Sequence, residues 1–111
     1  MAVSRSLRRG DVCLIQLDPT RGTEIQKTRP CLVVSPDELN QHLRTIIVAP
    51  MTTAGQAYPW RVACRFQNRT GFVAIDQLRT VDNERVAKRL GRISPNALLS
   101  VLNVLQEMFT V

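Results

Sequence analysis

The chain is 111 residues long, with 44% hydrophobic and 22% charged residues, which fits one soluble globular domain with its own core. No run approaches the roughly 20 apolar residues of a membrane span, and residues 1–9 lack the apolar segment of a signal peptide, so we expect a cytoplasmic protein. The formal net charge of +6 comes mostly from arginine, which favours a polyanionic partner such as RNA, DNA or an acidic protein segment.

The cysteines indicate packing rather than metal chemistry. Cys13, Cys31 and Cys64 are widely spaced, and the chain has one histidine. Zinc sites need closely spaced Cys and His ligands, so the sequence predicts no metal site, and we expect no cofactor. Cys13 and Cys31 lie in apolar runs and are expected to be buried thiols that act as small hydrophobes.

The first half of the chain predicts two strands around a polar loop. Residues 1–9 are interpreted as a flexible basic arm that precedes a single domain at 10–111. Short apolar runs bounded by Gly and Pro predict strands at Val12–Leu17 and Cys31–Val34, the second buried on both faces. The segment Asp18–Pro30 between them is long for a hairpin link, and loops of roughly a dozen residues are typically functional or disordered. Its charged residues and its two flanking strands favour a functional loop.

A short helix is expected after the second strand. Ser35 is the predicted N-cap, followed by a proline and by Glu38 as the partner in a capping box. Leu39 and Leu43 would share its apolar face. His42 lies near the end of this helix, and a lone histidine can act as a general base. It falls outside every motif described below, so we interpret it as solvated or C-capping.

The second half of the chain predicts further short strands. They are Thr45–Ala49, ended by Pro50, then Trp60–Phe66, Phe72–Ile75, Arg79–Val81 and Val86–Ile93. A turn at 68–71 would join the second and third of these strands. We expect the last two to pair as a ribbon through a turn at 82–83.

The last element is a helix with a clear beginning. Ser94 is the predicted N-cap and Pro95 the first helical residue. Apolar side chains then cover most of the helix circumference, so the helix is either buried in its own domain or shared with a second subunit. Together the elements predict a small, curled antiparallel β-barrel, SH3-like in style, with a short helix and a C-terminal α-helix.

Several short motifs follow one another along nearly the whole chain. They are Gly10-Asp11, Leu17-Asp18-Pro19-Thr20-Arg21-Gly22-Thr23-Glu24, Thr28-Arg29-Pro30, Val33-Val34-Ser35-Pro36, Ala49-Pro50-Met51-Thr52-Thr53, Tyr58-Pro59-Trp60 and Gly71-Phe72-Val73-Ala74-Ile75-Asp76-Gln77. This ordered set resembles the MazF/PemK family, the toxins of bacterial toxin–antitoxin pairs. The resemblance implies a MazF/CcdB-like barrel that forms a homodimer, cleaves single-stranded RNA without a metal and is silenced by an antitoxin.

The same resemblance implies an active site at Glu24, Arg29 and Thr53, with Thr52 as a possible supporting residue. Cleavage without a metal would use the neighbouring 2′-OH as nucleophile and leave a 2′,3′-cyclic phosphate and a 5′-OH. Glu24 is then the candidate base. Arg29 would stabilise the charge on the phosphate, and Thr53 would donate a hydrogen bond to it.

Asp76 competes with Glu24 for the role of base. In a PemK-like branch of the family, the Asp of the Asp-Gln pair works beside an upstream Arg and a loop His. Ala74 and Thr23 stand at the corresponding positions here, so both of those partners are absent from the motif. The sequence therefore favours Glu24 with Arg29.

Recognition of RNA is expected from polar and aromatic side chains of the loops. The candidate RNA-binding residues are Arg21, Thr23, Lys27, Gln56, Tyr58, Gln77 and Arg79, and Trp60 is either a core residue or a further contact. The expected antitoxin carries an acidic, partly disordered segment that lies in the arginine-lined groove and folds as it binds.

A second class of function is also compatible with the sequence. A non-catalytic SH3-like barrel could bind nucleic acid or a protein target such as gyrase. The positive charge and the apolar C-terminal helix suit both classes equally well. The combination of Glu24, Arg29 and Thr53 favours the endoribonuclease over the non-catalytic barrel.

Overall fold

A computed structural model of the chain describes residues 7–56 and 58–111. In this part of the chain, seven strands and two α-helices are present. The strands are β1 Asp11–Gln16, β2 Thr28–Val33, β3 Thr45–Thr52, β4 Arg61–Phe66, β5 Arg69–Ala74, β6 Arg79–Asp82 and β7 Val86–Arg92. The helices are α1 Asp37–His42 and α2 Pro95–Met108, and short 3-10 turns span Ile75–Gln77 and Asn83–Arg85. None of the helices described is long and apolar enough to cross a membrane.

β3 is the central strand of an antiparallel sheet with the order β4-β5-β3-β2-β1-β7. One side of β3 pairs with β2, and the other side pairs with β6 over residues 45–48 and with β5 over residues 51–52. Strand pairing does not join β4 to β7 in the described residues, although Gln67 Nε2 donates to Leu90 O of β7 at 3.2 Å. The predicted small antiparallel fold with a C-terminal helix is confirmed, as an open rather than a closed barrel.

Side chains of the inner strands divide between two apolar clusters, because successive residues of a strand point to opposite faces. In β1, Cys13 and Ile15 lie in one cluster and Val12 in the other, and in β2 Val33 and Leu32 divide in the same way. Helix α2 covers the second cluster. The prediction that the second strand is buried on both faces is therefore confirmed.

Cys13 and Cys31 are fully buried and lie opposite each other across β1 and β2. Burial disfavours the charged thiolate and raises the pKa of each thiol to about 12. Both are thus the buried thiols that the sequence predicts. Cys64 is half-buried, and burial also raises its pKa.

Two strand boundaries differ from the prediction. β2 begins at Thr28, so that Arg29 and Pro30 are strand residues, and β3 continues through Pro50 to Thr52. Proline usually ends a strand because it has no N–H for the ladder. Pro50 is tolerated because it lies between the part of β3 that pairs with β6 and the part that pairs with β5, where no strand faces it on that side.

The predicted ribbon of the last two strands is wrong. β6 pairs with β3, whereas β7 pairs with β1. The link between them is a 3-10 turn, in which Asp82 Oδ1 accepts a hydrogen bond from Glu84 N at 2.8 Å. After this capped turn the chain does not return along β6 but continues into β7, which lies beside β1 at the end of the strand order.

The turn between β4 and β5 is tighter than the one predicted at 68–71. It consists of Gln67 and Asn68, whose positive φ angles of 51° and 63° are typical of two-residue hairpin turns. Gly71 is therefore a strand residue. A Cβ at Gly71 would lie 2.6 Å from Thr52 O, so the close approach of β5 to β3 requires glycine there.

The start of α1 also corrects the prediction. Pro36 is the N-cap residue, and no side chain caps the helix. Ser35 is buried instead of capping the helix. Its hydroxyl contacts Asn40 of α1 and accepts a hydrogen bond from Ile47 N of β3 at 3.0 Å, so Ser35 links α1 to β3. Asn40 is the buried residue of the helix, and Leu43 is 53% exposed, because the helix packs through this polar contact.

The start of α2 is as predicted. Ser94 Oγ accepts a hydrogen bond from Ala97 N at 3.2 Å, and Pro95 is the first helical residue. Val101 is buried against the sheet, while Leu99 and Phe109 are exposed. Part of the apolar surface of α2 is therefore not covered by its own domain.

The packed domain includes the last part of the predicted N-terminal arm. Leu7 is 1% exposed in the first apolar cluster. Arg9 N donates to Asp37 Oδ1 at 2.7 Å, and Arg9 Nε donates to Val34 O at 2.8 Å. The prediction of a flexible arm is therefore wrong for residues 7–9. For residues 1–6 the prediction lies outside the described residues.

Replacing Leu7 by alanine is expected to lower the free energy of unfolding by about 2–5 kcal/mol, because it leaves a cavity in the core. Leu43→Ala is the matched control, since that side chain is exposed and its loss should change stability by less than about 0.5 kcal/mol. Urea denaturation followed by the fluorescence of Trp60 measures both variants. Equal effects would contradict the packing of Leu7 in the core.

Candidate active site

The loop between β1 and β2 is held at its base by two arginines from a distant part of the chain. Arg79 Nη1 donates to Leu17 O at 3.1 Å. Arg85 Nη1 donates to Gln16 O at 3.1 Å and to Asp18 O at 2.6 Å. These bonds satisfy backbone carbonyls where the β1–β2 ladder ends, so both arginines fix the point at which the loop begins.

Glu24 lies in a tight turn of this loop. Its N–H donates to Arg21 O at 3.1 Å, and its carboxylate Oε1 accepts a hydrogen bond from Arg21 N at 2.6 Å. Gly22 lies inside the turn with a φ of 57°, in the left-handed region that favours glycine. The turn thus restrains one carboxylate oxygen of Glu24, whose side chain is otherwise exposed.

Gln77 holds the other side of the same turn. Ile25 N donates to Gln77 Oε1 at 2.6 Å, and Gln77 Nε2 donates to Thr23 O at 3.3 Å. These bonds bring the Asp-Gln pair that follows β5 against the loop. The result is a cavity of about 560 Å³, lined by Pro19, Thr23, Glu24, Ile25, Pro50, Asp76, Gln77, Leu78 and Arg79.

Arg29 and Thr53 line a second cavity, of about 390 Å³. Arg29 Nε donates to Gln26 O at 3.1 Å, which restrains the guanidinium. Thr52 lines the same cavity, but its hydroxyl accepts a hydrogen bond from Ala54 N at 3.1 Å and so shapes the turn after β3. The remaining lining residues are Pro30, Met51, Cys64, Phe66, Gln67, Arg69, Thr70, Gly71, Phe72 and Leu90.

Consecutive residues of β3 line the two cavities. Pro50 lines the cavity of Glu24, and the next residue, Met51, lines the cavity of Arg29 and Thr53. In the part of the chain that the structure describes, no ion pair joins Glu24 to Arg29. The fold thus places Arg29 and Thr53 in one cavity and Glu24 in the other.

Asp76 has a partner that the sequence analysis missed. Arg61 Nε donates to Asp76 Oδ1 at 2.6 Å, and Arg61 Nη2 donates to Oδ2 at 3.0 Å. The Tyr58 hydroxyl donates to the same Oδ2 at 3.3 Å, and the Arg61 guanidinium lies 5.4 Å from the centroid of the Tyr58 ring. The hydrogen bonds from Arg61 are the main cause that lowers the pKa of Asp76.

The motif arginine is absent as the sequence indicates, but a different arginine, Arg61, pairs with Asp76. Ala74 stands where the motif would have that arginine, but Ala74 pairs with Arg61 across β4 and β5. The guanidinium reaches Asp76 from the neighbouring strand. The two-residue turn between β4 and β5 sets this register, so a correct placement of that turn would have identified Arg61 from the sequence.

The remaining candidate residues line neither cavity. Arg21 and Lys27 are exposed on the loop between β1 and β2, and Gln56 is exposed on the loop after β3. Trp60 packs partly buried against the second apolar cluster, which favours its role in the core. His42 is exposed at the end of α1 and lines neither cavity.

Comparisons with known proteins agree with this fold and these motifs. A sequence model of the PemK-like, MazF-like toxins of type II toxin–antitoxin systems matches residues 8–109. The chain is 37% identical to the endoribonuclease PemK of Escherichia coli over 110 residues, which is 94% of this chain and 83% of the relative. It is 32% identical to the endoribonuclease toxin MazF of Escherichia coli over 90 residues, 80% of this chain and 81% of the relative.

Solved structures show the same architecture. A crystal structure of MazF from Deinococcus radiodurans matches with a TM-score of 0.81 at 26% identity, over 92% of this chain and 94% of that chain. The fold and the matched sequence model therefore define a small protein of the class to which these toxins belong. The chain is a member of the PemK-like, MazF-like toxin family of type II toxin–antitoxin systems, as its motifs indicate.

The pKa of Asp76 is expected to lie below the usual value of about 3.9 and to rise in Arg61→Met, which removes both charged hydrogen bonds. Arg65→Met is the matched control, because Arg65 lies exposed on the same strand. An NMR titration of the Asp76 carboxyl carbon measures the shift. An unchanged pKa in Arg61→Met would contradict the pairing.

The same pair predicts a pH dependence of stability. A carboxylate whose pKa is lowered by folding stabilises the folded protein above the usual pKa, and this contribution is lost as the pH falls through the lowered value. We expect the stability lost by Arg61→Met to be greatest above about pH 5 and to shrink in more acidic solution. Denaturant unfolding at several pH values checks this, and a constant difference between variant and wild type would contradict it.

Proposed function

We propose that this protein is a toxin that cleaves single-stranded RNA, chiefly messenger RNA, at selected sequences. Its family and its endoribonuclease relatives support this proposal. The structural observation that carries it is the pair of cavities lined by consecutive residues of β3, one with Glu24 and one with Arg29 and Thr53. A group that accepts a proton and a cation that stabilises charge are the two requirements for cleaving a phosphodiester without a metal.

In the proposed reaction, the 2′-oxygen of one nucleotide attacks the adjacent phosphorus, and the bond from phosphorus to the 5′-oxygen breaks. Glu24 takes the proton of the 2′-OH, and a water molecule gives a proton to the leaving 5′-oxygen, so the products are a 2′,3′-cyclic phosphate and a 5′-OH. Arg29 stabilises the negative charge that develops on the phosphate oxygens, and Thr53 donates a hydrogen bond to one of them. Side chains supply the base, the charge stabilisation and the hydrogen bond to the phosphate, so we expect no requirement for a metal or a cofactor.

The proposed reaction requires one carboxylate to reach the 2′-OH and one guanidinium to reach the phosphate beside it. The ribose of the cleaved bond would therefore lie toward Glu24 and the phosphate toward Arg29. Glu24 is exposed, so its carboxylate is accessible to a ribose that enters the cavity. The bond from Arg21 N to Oε1 orients this carboxylate before the substrate arrives.

Asp76 is the weaker candidate for the base. Its two oxygens accept hydrogen bonds from Arg61 and Tyr58, and its pKa is lowered mainly by Arg61. Lone pairs that already accept charged hydrogen bonds are poorly placed to take a proton from a hydroxyl. We therefore assign Asp76 a supporting role, in which it orients Arg61 and Tyr58 at the edge of the Glu24 cavity.

The surrounding loops would hold the RNA outside the cleaved bond. The proposed contacts are Arg21, Thr23, Lys27, Gln56, Tyr58 and Arg79. Tyr58 is 43% exposed and offers its ring for stacking on a base, while the arginines and the lysine attract phosphates. Because the proposed substrate is messenger RNA, we place the reaction in the cytoplasm.

We also propose two protein partners. An endoribonuclease from a mycobacterial species that shares this fold, with a TM-score of 0.78 at 23% identity over 92% of this chain and 93% of that chain, was solved in complex with its cognate antitoxin. For the present chain we propose an antitoxin whose acidic, disordered segment covers the arginine-bearing cavities and excludes RNA. The exposed apolar side chains of α2, Leu99 and Phe109, support a homodimer.

Glu24→Gln is expected to slow cleavage of a long single-stranded RNA by about 10²–10⁴-fold, because it removes the proton acceptor. Arg29→Ala should slow it by at least about 10²-fold through the loss of charge stabilisation. Glu38→Gln and Arg44→Ala, at exposed positions outside both cavities, are matched controls that should cut like the wild type. Reactions in EDTA, with mapping of the product ends, measure rate, cleavage sequence and end chemistry together.

The outcomes separate the alternatives. Cleavage that survives Glu24→Gln and is lost in Asp76→Asn would move the base to Asp76. Normal cleavage by Arg29→Ala would show that the site is wrong. RNA that binds the wild-type protein but stays intact would instead favour the non-catalytic barrel, which binds nucleic acid or a protein target such as gyrase.

A further inference from the structure

Gln77 makes two hydrogen bonds to the peptide groups on either side of Glu24. Its Oε1 accepts from Ile25 N at 2.6 Å, and its Nε2 donates to Thr23 O at 3.3 Å. The first bond restrains the peptide plane that follows Glu24, and the second restrains the plane that precedes it. One side-chain amide therefore limits both φ and ψ of Glu24, and with them the direction of its Cα–Cβ bond.

Gln77 is itself held by a rigid part of the fold. The 3-10 turn Ile75–Gln77 follows β5 directly, and Ile75 is 1% exposed in the core. Ile75 N donates to Trp60 O at 2.9 Å, and Leu78 N donates to Ile75 O at 3.2 Å. A residue anchored in this way can position a group on a loop, which would otherwise sample several conformations.

Both polar atoms of the Gln77 amide also bond to the loop. A base edge could be read only through the remaining lone pair and N–H, in the orientation that the loop fixes. This favours a role in the loop over the direct RNA contact expected from the sequence. It also distinguishes Gln77 from Arg21, Lys27 and Gln56, which are exposed.

We propose that Gln77 is a positioning residue, which holds the backbone of Glu24 so that its carboxylate points into the cavity and toward the 2′-OH. This inference rests on the proposed function of Glu24 as the base. Gln77 does not touch the RNA, and it acts through Glu24 alone. The turn formed with Arg21 completes the support, because it fixes one carboxylate oxygen while Gln77 fixes the main chain.

The test compares Gln77→Met and Gln77→Glu with Gln41→Met, an exposed control on α1. Methionine keeps the length of the side chain and removes both hydrogen bonds, whereas glutamate keeps the acceptor for Ile25 N and loses the donor to Thr23 O. We expect Gln77→Met to lower kcat by about 10- to 100-fold with little change in KM, because misplacement of a reacting group slows the chemical step. Gln41→Met should have wild-type kinetics.

A double-mutant comparison shows whether Gln77 acts through Glu24. In the Glu24→Gln background, Gln77→Met should cause no further loss, since the group that it positions is gone. Amide hydrogen exchange gives a readout independent of activity: the Ile25 amide should exchange faster in Gln77→Met and remain protected in Gln77→Glu.

Each other outcome would overturn the proposal. A rise in KM that persists in the Glu24→Gln background would make Gln77 an RNA contact. Normal kcat in Gln77→Met, with wild-type cleavage intact, would refute the positioning role while the proposed function survives. Absence of cleavage by the wild-type protein would refute the proposed function and this role with it, whatever the exchange of the Ile25 amide shows.

Discussion

The pairing of β3 is the constraint on which the rest of the structure depends. This strand pairs with β2 along one side and with two successive strands, β6 and β5, along the other. Pro50 lies where these two pairings meet, at a position that needs no N–H on that side. Because successive strand residues point to opposite faces, Pro50 and Met51 line different cavities, one with Glu24 and one with Arg29.

The loop that carries Glu24 is ordered by side chains that are distant in sequence. Arg79 and Arg85 bind carbonyls at its base, and Gln77 binds peptide groups near its tip. Ordering a polar loop costs conformational entropy at every residue, and each hydrogen bond returns only part of that cost. A few long side chains therefore determine whether the proposed base is in place, which makes the loop sensitive to substitutions outside it.

Local signals in the sequence predicted much of this fold, whereas pairings between distant segments did not follow from them. Ser94 with Pro95 predicted the start of α2, and apolar runs predicted the inner strands. The failures share one cause, because strand register depends on turns that local propensity resolves poorly. Misplacing the turn at Gln67 and Asn68 concealed Arg61. Ser35 was misread because its hydrogen-bond partner, Ile47 N, lies on another element.

The pairing of Arg61 with Asp76 also bears on how the cavity can accept an anionic substrate. Glu24 and Asp76 line the same cavity, and two uncompensated carboxylates there would repel an RNA phosphate. Arg61 neutralises Asp76 from the neighbouring strand, and Arg79 adds a second positive charge at the lining. The cavity then has one carboxylate available for proton transfer without a net negative charge. Arg61 would thus support the proposed reaction even if it never touched the RNA, because it allows a base to work beside a polyanion.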